Sequence, residues 1–168
     1  RAVGAARAAH RDVGLPGLSL GVCWDDTDNG DFLESREVRK ALEEFPKLAI
    51  LGADACLMGM VECAYEWRDH AEYLVASEEI EPGPGWPYDT ILEKLADQPG
   101  MKARDLAALI VEKYGECYDG SGDKTTLSAV DLEKIGPLAA AISEAAATLV
   151  QTSSQTLLDN LGSVPGFP

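Results

Sequence analysis

The chain has 168 residues, of which 46% are apolar, and this suits one globular domain with a single hydrophobic core. Its 29 acidic and 14 basic residues give a net charge of -15, so a nucleic acid is not an expected partner. No uncharged apolar run approaches about 18 residues, and no transmembrane span is expected. The four cysteines form no C-x-x-C pair and are accompanied by only two histidines, which disfavours a zinc site.

The first part of the chain carries few regular signals. Residues 1–20 show no sustained period and are predicted to be a loop or processing region. Residues 21–24, GVCW, predict a short strand, and the acidic stretch DDTDNGD after them predicts a turn. The calcium-loop spacing D-x-D-x-D-G is not met there, because the glycine comes one position early. Residues 35–45 predict an amphipathic helix that begins after an N-cap-like serine.

Strands and helices alternate through the rest of the chain. Strands are predicted over residues 47–52, 72–77 and 125–132, and helices over 57–69, 89–97, 103–118 and 136–161. Residues 78–88, EEIEPGPGWPY, contain too many prolines and glycines for a regular element. This alternation predicts an α/β fold with a mainly parallel sheet and helices on both faces. Ligands of such sheets bind outside the carboxyl ends of the strands.

Cys56 lies where the strand predicted over 47–52 gives way to the helix predicted over 57–69. Most free cysteines are inert core residues, and that is the alternative interpretation. A thiol at a helix N-terminus, however, faces unpaired N–H groups and the positive end of the dipole, which favour the nucleophilic thiolate. The same N–H groups can form an oxyanion hole. We therefore predict that Cys56 is a nucleophile.

Asp54, two residues earlier, has two interpretations that the sequence leaves open. It is either the N-cap of the predicted helix or a carboxylate that binds a cationic substrate side chain. A negative charge beside the sulfur would disfavour the thiolate. A functional Asp54 is therefore expected to face the substrate.

Residues 54–88, DACLMGMVECAYEWRDHAEYLVASEEIEPGPGWPY, resemble the signature region of the clostripain-like cysteine peptidases, which share the caspase-type α/β fold. The upstream VCWDDTDNGDFLESREVRKAL and the downstream TTLSAVDL resemble the segments that flank it. The likeness therefore covers about residues 21–135, with residues 136–161 as a long helix beyond this core. The chain is expected to be the later part of a single such domain.

The resemblance implies a cysteine endopeptidase that cleaves after arginine, or less readily after lysine. Cys56 would be the nucleophile, Asp54 the floor of the specificity pocket, and residues 77–88 the lining of the substrate cleft. The further substrate-binding residues implied in that loop are Ser77, Glu78, Glu81 and Trp86.

Two features of the loop leave questions open. Pro84 stands where many family members carry an acidic residue, so basic specificity is expected to depend on Asp54, helped by Glu81, and to be weaker or different. Trp86 is interpreted equally well as a structural plug over the sheet edge.

The general base is the main departure from the family. Its members take the base from a histidine in an H-G motif upstream of the cysteine, whereas neither His10 nor His70 precedes a glycine. His70 is expected to end a helix on the surface. His10 is the possible base within this chain, because it lies upstream of the cysteine, but its surroundings are a predicted loop and a histidine upstream of this chain is favoured over it. Because such peptidases are commonly cut between the histidine and the cysteine, a light chain that carries the histidine is an expected partner.

Three other expectations accompany this prediction. The alternative function is a non-catalytic caspase-fold interaction domain that has lost the base, and a redox or metal-binding α/β protein ranks third because clustered ligands are missing. Some family members respond to calcium, so calcium is the one cofactor considered, without a recognisable ligand set. The resemblance implies a secreted or cell-envelope bacterial protein, although the first residues, RAVGAARAAHRDVG, lack the apolar core of a signal peptide.

Overall fold

The computed structural model describes residues 21–25, 27 and 30–151, so the predicted loop over 1–20, with His10, lies outside it. The elements are β1 (Gly21–Asp25), β2 (Asp31–Glu34), α1 (Ser35–Leu42), β3 (Leu48–Ala53), α2 (Val61–Trp67), β4 (Ala71–Ala76), α3 (Tyr88–Asp97), α4 (Ala103–Tyr118), β5 (Ser128–Asp131), a 3-10 turn (Leu132–Lys134) and α5 (Ile135–Val150). The predicted strands and helices within these residues are confirmed as elements, most of them with shifted ends. No helix in the described ranges is long and apolar enough to span a bilayer.

The main sheet has the strand order β3-β4-β5. β3 and β4 run parallel, from the pair Leu48–Ala71 to the pair Ala53–Ala76, and α2 connects them as a βαβ unit. β5 is antiparallel to β4, with Ser128 opposite Ala76. The α/β class is confirmed, and the described part of the sheet is mixed because of β5.

Two hydrophobic clusters lie on opposite faces of this sheet. Successive residues of a strand point to opposite faces, so Leu74 joins one cluster and Val75 the other. The first cluster includes Cys63, Ala64, Trp67, Leu132 and Ile135, and the second includes Trp86, Ile91, Ala107, Ile110 and Tyr114. Helices therefore cover both faces, as predicted, but the apolar residues form two clusters where composition predicted one core.

The region before β3 differs most from prediction. Residues 31–34 form β2, which pairs antiparallel with β1, whereas the sequence analysis assigned no strand there. Gly30 has a positive φ of 78°, and its N–H donates to the Asp25 carbonyl at 3.1 Å at the end of β1. α1 is capped by Glu34 in a capping box with Glu37, so the predicted serine cap is wrong.

Candidate active site

The turn that carries Cys56 differs from its predicted conformation. α2 begins at Val61 with Met60 as its N-cap, so the helix predicted from residue 57 starts four residues later. Leu57 has a left-handed φ of 64°, and its N–H donates to the Glu79 carbonyl at 3.1 Å. The Gly59 N–H donates to the Ser77 carbonyl at 2.7 Å. The predicted thiolate stabilisation and oxyanion hole from this helix start are therefore wrong, because the loop takes these N–H groups.

Cys56 nevertheless has a distinct setting among the four cysteines, all of which fall in the described ranges. It is partly buried, and its Sγ accepts the Glu81 N–H at 3.3 Å. Cys63 is fully buried, and burial, with smaller contributions from Glu62 and Glu66, raises the pKa of its thiol to about 11. Cys23 and Cys117 are exposed. Cys56 is thus the one cysteine that the structure places beside the proposed cleft loop.

Asp54 faces the same loop. One of its carboxylate oxygens accepts the Trp86 main-chain N–H at 3.2 Å and the Tyr88 hydroxyl at 3.1 Å. Because the cap of α2 is Met60, the interpretation of Asp54 as a helix N-cap is wrong. The structure instead joins the end of β3 to the loop before α3 through this carboxylate.

Two glycines allow the loop to approach Asp54 and β3 closely. Gly85 has φ of +72°, and a Cβ there would lie 2.6 Å from an Asp54 carboxylate oxygen. A Cβ on Gly52 would lie 3.1 Å from the Trp86 ring. The Gly85 carbonyl also accepts the Tyr118 hydroxyl of α4 at 2.7 Å. The lack of a side chain at positions 52 and 85 therefore allows the loop to pack this closely against β3 and Asp54.

Trp86 fits the structural interpretation that was one of its two alternatives. The side chain is only 7% exposed and packs in the cluster on the α4 face of the sheet, as a plug would. Its indole N–H donates to the Glu81 carboxylate, at 3.1 and 3.3 Å from the two oxygens. Trp86 thus contacts Asp54 through its main chain and Glu81 through its side chain.

Glu81 is a neighbour of Asp54, since Trp86 donates hydrogen bonds to both carboxyl groups. Burial and the Asp54 carboxylate raise the pKa of Glu81 to about 8, against the opposing effect of the Trp86 indole donor. Burial, followed by the charges of Asp54 and Glu81, raises the pKa of Tyr88 to about 12. Two acidic side chains therefore lie between the end of β3 and the loop before α3, where the N–H groups of Trp86 and the Tyr88 hydroxyl donate to them.

Ser77 and Glu78 lie at the edge of this arrangement. The Ser77 side chain is fully buried, and its hydroxyl bonds to the main chain of Glu79 at 3.0 Å and to Thr126 at 3.1 Å. The Glu78 N–H donates to the Thr126 hydroxyl at 3.2 Å, and the Glu78 side chain is exposed. Ser77 therefore fixes the main chain of the loop through these hydrogen bonds. Tyr88 lies within the predicted cleft lining over 77–88 but was not singled out as a binding residue, and Thr126 was not predicted.

His70 is far from the cysteine. It directly precedes Ala71, which pairs with Leu48 at the start of β3, and its carbonyl accepts the Leu48 N–H at 2.8 Å. Cys56 follows the other end of this six-residue strand. At ~3.3 Å per residue, the two side chains are separated by roughly 20 Å. His70 does not serve Cys56 as a base in this fold, and His10 lies outside the described residues.

Comparison with known proteins identifies relatives for most of the chain. A family model described as Clostripain family matches residues 17–164. The chain is 30% identical over 182 residues to Clostripain of Hathewaya histolytica, covering 90% of this chain and 35% of that protein.

Solved structures show the same likeness. A B. fragilis cysteine protease is 29% identical, with a TM-score of 0.60, over 72% of this chain and 52% of that one. A secreted C11 cysteine protease from Bacteroides thetaiotaomicron in complex with an irreversible peptide inhibitor is 26% identical, with a TM-score of 0.63, over 76% of this chain and 38% of that one. These structures confirm the expected caspase-like fold, and the chain spans about a third to a half of the relatives' length.

Proposed function

The chain belongs to the clostripain family of cysteine peptidases, and on this premise we propose that it supplies the nucleophile and the primary specificity pocket of a cysteine endopeptidase. The observation that carries the proposal is the position of Cys56 at the carboxyl end of β3, in contact with the loop that also meets Asp54. Cys56 and Asp54 lie two residues apart, which suits an enzyme that recognises the side chain next to the bond that it cleaves.

Cys56 provides covalent catalysis in this proposal. Its thiolate adds to the carbonyl carbon of the scissile peptide, the C–N bond breaks, and the amine leaves with a proton from the general acid. The resulting thioester is hydrolysed by water, which gives its proton to the same group acting as base and restores the thiolate. The Glu81 N–H, at 3.3 Å from Sγ, stabilises the thiolate at the start and end of this cycle.

Specificity for a cationic side chain rests on the acidic pair. Asp54 and Glu81 form no ion pair within the described ranges, so their charge is available to a substrate. A guanidinium presents several donors in one plane and bridges two carboxylates better than a single ammonium. We therefore expect arginine to be preferred over lysine, with Trp86 holding Glu81 in place and Ser77 and Glu78 supporting the loop.

The base is proposed to come from a segment upstream of β3. Among the described strands, β3 lies at the edge of its sheet. A parallel strand added there would end beside Cys56, because the carboxyl ends of parallel strands meet at one edge. A histidine at that end, on a light chain or in the same chain, would reach the thiol. A secreted or cell-envelope location is proposed from the secreted relative.

The test uses the full-length protein and two peptidyl acyloxymethyl ketones that differ only in an arginine or a citrulline next to the reactive carbon. Citrulline keeps the shape of arginine without its charge. The arginine probe should label Cys56 selectively, the Cys56→Ala variant should not be labelled, and Cys117→Ala, which removes an exposed cysteine, should be labelled normally. Equal labelling by both probes would reject the charged pocket. Absence of labelling and of peptide hydrolysis would favour the non-catalytic interaction domain.

A further inference from the structure

Trp86 holds the two acidic side chains of the pocket together. Its main-chain N–H donates to Asp54 at 3.2 Å, and its indole N–H donates to Glu81 at 3.1 Å. The Trp86 side chain is 7% exposed and packs among the core residues of the α4 face, so this bridge is not free to open. The carboxyl groups of Asp54 and Glu81 are therefore both held by the same residue.

The groups that face this pair are neutral donors and one thiol. Tyr88 at the start of α3 donates to Asp54. On α4, the charge of Glu81 contributes to the raised pKa of Tyr114 and of Tyr118. Cys56 contacts the Glu81 main chain. No lysine, arginine or histidine in the described part of the chain forms an ion pair with either carboxyl group.

Two neighbouring carboxylates without a cation repel each other when both are ionised, and Glu81, the partly buried one, also loses solvation. A single proton between them removes one charge and supplies a hydrogen bond. The pKa of Glu81, raised to about 8 by burial and by Asp54, agrees with this geometry. At neutral pH the empty pocket thus carries one negative charge. A bound cation offsets the repulsion between the carboxylates and allows the second one to ionise.

Resting on the proposed function, we propose that the pocket exchanges a proton for the cation of its substrate: Glu81 is protonated when the pocket is empty and ionised when an arginine or lysine side chain is bound. The proton leaves to solvent as the cation enters, so the net charge of the site is unchanged. A neutral side chain gains nothing from ionised Glu81 and leaves the proton in place. Discrimination between cationic and neutral substrates therefore depends on pH.

The size of the effect follows from the position of the titration near pH 8. As the pH decreases below about 8, affinity for a cation should decrease by about tenfold per pH unit. Above about pH 8, the affinity should no longer depend on pH. At pH 7, binding of one arginine side chain should release about 0.9 protons, because that fraction of Glu81 is protonated in the empty pocket.

The measurement is isothermal titration of the full-length Cys56→Ala protein with Nα-acetyl-arginine amide in buffers of different ionisation enthalpy. The Cys56→Ala background removes the titrating thiol, and the citrulline analogue is the uncharged control. The expected result is release of about 0.9 protons with arginine at pH 7 and none with citrulline. Arginine binding without proton release overturns this inference and leaves the proposed function standing. Absence of arginine binding rejects the pocket, and the inference with it.

Three variants locate the proton. Glu81→Gln keeps an acceptor for the Trp86 indole but removes the titrating group, and should abolish proton release and flatten the pH dependence of affinity. Asp54→Asn should reduce release, because Glu81 then ionises without a charged neighbour. Glu93→Gln removes an exposed carboxylate on α3 and should release as much as the parent protein. Unchanged release by a folded Glu81→Gln protein, checked by its melting curve, assigns the proton to another group and overturns the inference.

Discussion

Asp54→Asn is the substitution that best separates charge from structure in the pocket. The asparagine oxygen still accepts hydrogen bonds from the Trp86 N–H and the Tyr88 hydroxyl, which Asp54 accepts at 3.2 and 3.1 Å. The variant should therefore fold normally. What it loses is the negative charge that faces the cation of the substrate.

The magnitude depends on Glu81, which stays in the pocket. Removing one partner of a partly buried charge pair costs about 2–5 kcal/mol. With Asp54 neutral, Glu81 is free to ionise and supplies one charge, so the loss should lie near the lower limit of that range. About 2 kcal/mol corresponds to a fall of about thirtyfold in kcat/KM for arginine substrates. The double variant Asp54→Asn/Glu81→Gln should lose the remaining preference.

The assay compares kcat/KM of the full-length enzyme on matched arginine, lysine and citrulline peptides at pH 8. Asp54→Asn should lower the arginine value by about thirtyfold and the citrulline value by less than about threefold. Equal losses on all three peptides would mean that Asp54 positions the loop, not the cation. An unchanged arginine value would place the specificity pocket elsewhere.

The other predictions concern reactivity and stability. Limiting iodoacetamide with peptide mapping should label Cys56 first and leave buried Cys63 unlabelled in the folded protein; faster labelling of any other cysteine contradicts the assignment. Gly85→Ala should destabilise the fold by about 1–3 kcal/mol in denaturant titrations, because φ is +72° and the new Cβ meets Asp54, whereas Gly100→Ala meets nothing and should be neutral. Because the pKa of Glu81 is raised to about 8, folding stability should fall as pH rises from about 5 to 8; a Glu81→Gln melting temperature with the same slope would refute this cause.

Hydrophobic periodicity predicted those helices and strands whose conformation depends on the pattern of their own side chains. The helix over 103–118 has the predicted bounds, because its apolar residues face β4 and no other segment competes for its N–H groups. The strands were identified for the same reason, from runs that suit a buried sheet. Their directions were not, since nothing local to residues 128–131 determines that β5 runs antiparallel to β4.

The helix start after Cys56 shows why the rest was not predictable. The apolar residues from 57 onward have helical spacing, but Met58 enters the first hydrophobic cluster from a turn and not from a helix. The carbonyl groups of Ser77 and Glu79, about twenty residues later in the chain, take the N–H groups that would have begun the helix. A Cβ at Gly59 would lie 2.8 Å from the Ser77 main chain, so the glycine in L-M-G-M marks this close approach.

The same limit applies to the site. The resemblance predicted which residues belong to it, whereas their geometry depends on contacts between residues about thirty positions apart. Asp54 meets Trp86 and Tyr88 only because β3 and the loop before α3 end at the same edge of the sheet. The proximity of Asp54 to Glu81, from which the charge of the empty pocket follows, has no signature in sequence spacing.

Glu81 contacts Cys56, the proposed nucleophile, through its main chain, and its side chain lies in the proposed specificity pocket. Its main-chain N–H contacts Cys56 at 3.3 Å, and its carboxylate meets Trp86 in the specificity pocket. In the proposed mechanism, the sulfur of Cys56 is therefore contacted by an N–H group of the loop and not by the start of a helix. Pro82, directly after Glu81, and Pro87, directly before Tyr88, fix φ at two positions of the loop and limit its conformations. In the proposed function, a substrate cation bound by the Glu81 carboxylate thus contacts the same residue whose N–H lies on the sulfur, so side-chain recognition and nucleophile orientation share one residue.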